Sequence, residues 1–171
     1  MLTNEMTYAT PRCPVVTVVG VGNEMRQDDG VGLLVARRLR GMVSPGVRVV
    51  ECSGEVLELM DCWEGSETVI IVDALYGDAG PGTVYRFDVA DNHPVPDRFF
   101  TYSTHDINVS QALELARALK RLPRRVVLYG IEACSFEPGA EMSPEVADAA
   151  ESVIHSVLNC IEDLVPAGAG R

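Results

Sequence analysis

Asp29, Asp73 and His105 are the residues here whose types suit chemistry on a cation. Two carboxylates and one imidazole form an O,O,N donor set. Such a set fits nickel, iron, manganese or zinc and leaves coordination positions open for a substrate. Their spacing does not place them on one helix, as H-E-x-x-H would, so any convergence must come from the fold. Taken singly, each has a plainer role. Asp28 and Asp29 precede an apolar helical pattern, so one of them, Asp28, is expected to cap that helix. Asp73 closes the run TVIIVDA and can serve as a loop hydrogen bonder. His105 precedes another helix, and Ser103 beside it is a possible but weak nucleophile partner. His93 and His155 read as surface or packing residues.

Asp29 lies in GVGNEMRQDDGVG, residues 20 to 32. Gly20 and Gly22 follow a β-branched strand and supply the G-x-G of a dinucleotide loop, but Met25 stands at the third glycine position. The next acidic strand end, Glu51, lies too far on for the usual ribose contact. No Gly-Lys-Ser/Thr follows, so the segment is not a P-loop. Asp28 and Asp29 would also repel a phosphate at a helix N-terminus. The local chemistry suits a cation, and no nucleotide is expected.

The elements that must bring these residues together follow from periodicity. Val15–Val19, Thr68–Ala74 and Arg125–Ile131 are continuous apolar runs, expected as strands covered on both faces. Val47–Glu51 is a further strand, and Thr83–Val89 an edge strand after the turn Gly80-Pro81-Gly82. Between them, Val31, Leu34, Val35 and Leu39 fall at helical spacing, with Arg37 and Arg40 opposite. Glu55–Trp63 reads as a short helix. Asp106–Arg121 reads as a longer one, with Leu113, Leu115, Ala116 and Leu119 as its apolar contacts. Asp91–Phe100 reads as a loop. The last helix starts at Ser143-Pro144-Glu145, with the serine as cap, and runs to about Val165. Strands alternating with helices give an α/β three-layer sandwich: a mostly parallel, twisted sheet with helices on both faces. In an open sheet of this kind sites lie at the carboxyl ends of the strands, where Asp29 and Asp73 both follow central strands. One domain, 15–165, is expected, with an N-terminal extension at 1–14 and a loose tail at 166–171.

The chain has 171 residues, 47% of them apolar, and a formal charge of −11. That balance argues against general nucleic-acid or anionic-membrane binding. It fits a basic partner, a metal or plain solubility. No signal sequence or membrane-length apolar run is recognised, so a cytoplasmic location without membrane insertion is expected. Five cysteines without C-x-x-C spacing suggest neither a disulfide framework nor a zinc site, and Cys134 and Cys160 read as buried thiols.

Four motifs in order give the chain a resemblance to the nickel-iron hydrogenase maturation endopeptidases, from Val15 to about Leu164. The first is G-x-G-N followed by Asp-Asp and a glycine: Gly20, Gly22, Asn23, Asp28, Asp29 and Gly32. Next come the strand carrying Asp73 with Pro81-Gly82-Thr83, then Ser103-Thr104-His105, then GIE and EPGAEMSPEV within Gly130–Val146. The resemblance implies a five-stranded twisted sheet between helices. It implies an endopeptidase that removes a C-terminal extension from the precursor of the hydrogenase large subunit after nickel insertion. It further implies that Asp29, Asp73 and His105 contact a nickel carried by that substrate and serve the cleavage, with Asp28 only as a neighbour in the supporting loop. Many members have a glycine- and threonine-rich loop after the second strand, linked to substrate choice. This chain has Cys52, Ser53, Gly54 and Glu55 there. It also has Ala133 where many have proline. A Rossmann-like ligand-binding protein and a non-cleaving, nickel-dependent escort of the precursor are the rival readings.

Overall fold

The structure is a computed structural model that describes residues 16–89, 95 and 109–164. The extension at 1–14, the tail at 166–171, His93, Ser103 and His105 lie outside the described residues, as does all of the expected 91–100 loop except Val95.

Five strands form one sheet in the order β2-β1-β3-β5-β4. They are β1 (Val16–Val21), β2 (Val47–Cys52), β3 (Thr68–Leu75), β4 (Val84–Val89) and β5 (Arg125–Glu132). The first three and β5 run parallel, and β4 closes one edge antiparallel to β5. The three continuous apolar runs became the three inner strands. Every residue of β1 and β3 is buried. On β4 burial alternates along most of the strand, as an edge with one covered face requires.

Among the described residues four α-helices cover the two faces: α1 (Val31–Leu39), α2 (Val56–Cys62), α3 (Val109–Ala118) and α4 (Pro144–Leu164). Helices α1 and α4 pack with Val16, Val18, Ile70, Val72 and Val127 in one apolar layer. Helices α2 and α3 pack with Val19, Val21, Val69, Ile71 and Val126 in the other. The alternation of the strand residues between two layers is the three-layer sandwich expected from the sequence. No helix among the described residues is long and apolar enough to cross a membrane.

Three local expectations need correction. Leu113 and Ala116 are buried as expected, but Leu115 and Leu119 are exposed, and Val109 and Ala112 complete the buried stripe of α3. Cys134 is exposed, because it lies just past the end of β5 in a surface turn, whereas Cys160 is buried as expected. Strand β3 continues two residues beyond Asp73, because β5 keeps pairing with it as far as Leu75.

Candidate functional site

The segment after β1 is built by close packing. A Cβ on Gly20 would fall 2.1 Å from the Gly32 carbonyl oxygen. One on Gly32 would fall 2.2 Å from that of Val21 and 2.4 Å from that of Val72. Only hydrogen at these positions lets α1 press its first turn onto the ends of β1 and β3. Gly22 has φ +147° and lies against the Asp29 carbonyl, so it too is a glycine by necessity. Six of the loop's amides are engaged within the protein. Gly22 donates to the Cys52 carbonyl, Asn23 to Asp29, Arg26 to Asn23, Asp28 to Ser135 and Asp29 to Arg26. Met25 donates to the Asn23 side-chain oxygen. A phosphate cradle needs such amides pointing outward. Here they fold the loop on itself.

Asp28 does not cap the short 3-10 turn (Gln27–Gly30) or α1. It is fully buried, and its carboxylate reaches across the molecule. It accepts hydrogen bonds from the amides of Cys134 at 2.8 Å, Ser135 at 3.2 Å and Ser143 at 2.7 Å, and from the Ser143 hydroxyl at 2.9 Å. The Ser143 hydroxyl, expected to cap α4, is spent on Asp28 and on the Gln27 amide. The first and last sequence motifs are thus one structural unit. The Pro81-Gly82-Thr83 turn of the second motif joins it through Glu132. Glu132, buried, accepts from the amides of Ala79 and Gly80 and from the Tyr85 hydroxyl, holding the Gly80–Thr83 turn.

Asp29 and Asp73 come together at the carboxyl end of the sheet. Strand β1 pairs with β3 only as far as Gly20 with Val72, so Asp73 is the first residue beyond that pairing. Its carboxyl is almost wholly buried, and its pKa is pushed from 3.8 up to about 8. Burial is the largest cause, and the charge of Asp29 is the second; the Ala74 amide opposes them. Asp29, half-buried, faces a groove of about 380 Å³. Gly22, Asn23, Met25, Arg37, Ser53 and Glu55 are among the residues that line it. Of the loop Cys52, Ser53, Gly54 and Glu55, the groove therefore meets Ser53 and Glu55, while Cys52 is buried behind them. Asp73 is not part of the groove's lining.

Two further residues belong to this neighbourhood. Tyr76 feels both Asp29, which raises its pKa after the larger effect of burial, and Arg26, which lowers it. Its ring packs on Phe136, with centroids 4.6 Å apart. Residue type and spacing single out neither of them, although Arg26 is the one cation within the stretch 20–32. Among the described residues no three His, Cys, Asp or Glu side chains form a metal-binding cluster. The third member of the expected set, His105, is outside them.

With this geometry in view, comparison with known proteins is specific. A family model described as hydrogenase maturation protease matches residues 34–160. Protein FrxA of Pyrococcus furiosus is 30% identical over 80% of this chain and 97% of its own length. The hydrogenase 2 maturation protease of Escherichia coli is 24% identical over 86% of this chain and 91% of its own. Among solved structures, a nickel-iron hydrogenase maturation protease from Thermococcus kodakarensis, HybD, superposes with a TM-score of 0.64 at 27% identity, covering 85% of this chain and 97% of that one.

Proposed function

The chain belongs to the hydrogenase maturation protease family, and from that premise we propose that it is an endopeptidase which cuts the C-terminal extension from a nickel-iron hydrogenase large-subunit precursor once nickel has been inserted. We assign recognition of the substrate's nickel to Asp29, Asp73 and His105, and selection of the precursor to the Cys52–Glu55 loop. The reaction takes place in the cytoplasm on this reading. The observation that carries it is the paired carboxylates. Asp73 is buried with a carboxylate neighbour and a pKa near 8, an unfavourable arrangement that a bound cation would relieve. The donors fit a divalent transition metal, for which imidazole and carboxylate are suitable ligands.

The work left to the chain's own residues is positioning and proton transfer. A hydrolytic water must lose a proton as it attacks the scissile carbonyl, and the leaving amine must gain one. A carboxylate whose pKa lies near neutrality can accept the first proton and return it. Asp73 has that property only before a cation binds; with nickel seated, the base is whichever of Asp29 and Asp73 the metal leaves free. The bound nickel supplies positive charge that stabilises the developing oxyanion or lowers the pKa of water. A metal carried by the substrate makes cleavage conditional on metal loading.

Incubation of the cognate precursor, nickel-loaded and nickel-free, followed by mass spectrometry, tests this. Release of a C-terminal peptide from the loaded form alone is the expected result. Binding of the loaded form without any cut would replace the reading with that of an escort. The dinucleotide-binding alternative has little support in a loop whose amides are engaged within the chain.

A further inference from the structure

Gln27 carries the backbone through a region that most side chains avoid. Its φ is +47°, and among the described residues Lys120 alone joins it outside glycine. A Cβ makes that left-handed region costly, so such a residue persists where its surroundings dictate the backbone. Gln27 opens the 3-10 turn Gln27–Gly30 and stands directly before Asp28 and Asp29. The turn sends those two carboxylates apart: Asp28 to the amide and hydroxyl of Ser143, Asp29 to the groove.

We propose that the left-handed conformation of Gln27, pinned by Ser143, is what aims Asp29 at the groove, which makes Gln27 a positioning residue for the site. Its effect on cleavage rests on the endopeptidase reading. The Asp29 amide donates to the Arg26 carbonyl at 3.0 Å and closes a tight turn in which Gln27 is the first central residue. A positive φ there sets the hand of the turn, and a residue of ordinary φ would turn the next peptide over. The Asp28 amide would then leave the Ser135 carbonyl, to which it donates at 3.4 Å. Successive side chains of a 3-10 turn point about 120° apart, so fixing Asp28 inward fixes where Asp29 points. The far side of Asp29 is held as well, since its carbonyl accepts from the Asn23 amide at 3.2 Å. A residue clamped before and after itself is re-aimed only by changing the turn.

The side chain shows why glutamine suits the position. Its Nε2 donates to the Ser143 hydroxyl at 3.2 Å, and that hydroxyl donates in turn to Asp28 at 2.9 Å. Residues 27 and 28 thus grip the residue before α4 together, across 116 and 115 positions of sequence. Glycine would accept φ +47° but offers no such tie, and asparagine, which also tolerates it, is one methylene shorter. The bond to Ser143 offsets part of the backbone strain and couples the aim of Asp29 to the start of α4.

The test compares Gln27→Gly with Gln27→Val in the full chain. Both lose the bond to Ser143, but glycine takes a positive φ freely and a β-branched residue opposes it. Three quantities are read: kcat/KM on the nickel-loaded precursor, the urea midpoint, and amide exchange at Asp28 and Asp29. Both midpoints should fall. Gln27→Gly should keep most of the parent kcat/KM, whereas Gln27→Val should lose about ten- to a hundredfold, the scale of a displaced site. Exchange at the two amides should be faster in Gln27→Val than in Gln27→Gly. A merely structural role would order the rates by midpoint and not by tolerance of positive φ. Should Gln27→Val not fold, Gln27→Ala takes its place, with a smaller loss in the same direction. A valine or alanine variant that cuts as the parent does, or a glycine variant slowed as much as they are, would overturn the proposal. So would equal exchange at Asp28 and Asp29 in the glycine and valine variants. If the parent cuts no precursor, the endopeptidase reading fails alone, because exchange is read without substrate.

Discussion

Two buried aspartates, Asp28 and Asp73, have opposite surroundings. Asp28 is met by four donors from the turn after β5 and the start of α4. Asp73 has the Ala74 amide in its favour and the charge of Asp29 against it. A buried carboxylate surrounded by donors is a structural joint, since each hydrogen bond to it offsets part of its desolvation. A buried carboxylate beside another is electrostatically costly in the isolated chain. The first arrangement builds a frame. The second is retained at a cost to stability, which is the usual mark of a functional group. The comparison also separates neighbours in sequence: Asp28 looks inward to the frame, while Asp29 looks outward to the groove.

The sharpest way to break this comparison is to exchange the charges. Asp73→Asn should lower cleavage of the nickel-loaded precursor by at least about a thousandfold, as loss of a group acting in a catalytic unit does. His105→Ala should do the same. A variant that processes the precursor normally would remove its residue from the site. Asp28→Ala, by contrast, should act through stability. It leaves three amides and one hydroxyl without their acceptor, those of Ser143 buried, and a loss on the order of 3–5 kcal/mol in urea unfolding is expected. A small loss would mean that the turn after β5 relaxes and that Asp28 is no joint.

The pH dependence sharpens the contrast. The folded pKa of Asp73 is raised, so its carboxylate form is disfavoured in the folded chain. The resulting penalty is absent below about pH 4, grows through the window up to about pH 8 and is then constant, at up to ~1.4 kcal/mol per pH unit. In chelator, Asp73→Asn should therefore unfold like the parent at pH 4 and be more stable at pH 8. Parallel stability curves for the two proteins across that range would contradict the buried-charge account. The smallest expected effect is that of Gly32→Ala. Its new methyl group meets the Val21 and Val72 carbonyl oxygens, and about 1–3 kcal/mol of destabilisation is expected. A neutral outcome would show that α1 can lift off the strand ends.

Much of this architecture was legible from residue order. The runs VVTVV, TVIIVDA and RVVLYGI are apolar at every position or nearly so, which only an inner strand of a covered sheet tolerates. They became β1, β3 and β5. The alternation on β4 was weaker, and it is the antiparallel edge. Where residue order misled, the cause was local reasoning. Leu115 and Leu119 fit a helical stripe, but the face of α3 that meets the sheet is set by Val109, Leu113 and Ala116. Asp28 and Ser143 both stand where helix caps stand, and each satisfies the other instead.

The candidate site divides in the same way. Residue type and position past a central strand were enough to single out Asp29 and Asp73, because a parallel sheet opens its sites at the strands' carboxyl ends. The glycines marked a tight strand-to-helix passage, and the acids argued against an anion there. What order alone could not give is distance. The nearness of Asp29 to Asp73 and the reach of Asp28 to Ser143 span 44 and 115 residues of chain. Such pairings depend on sheet register and helix packing, which sum many weak contacts across the whole molecule. The sequence by itself determined which strands are buried and which residues are chemically able. Only the tertiary structure decided which aspartate is held by donors and which is left facing another charge, because a carboxylate's energy is set by its neighbours in space.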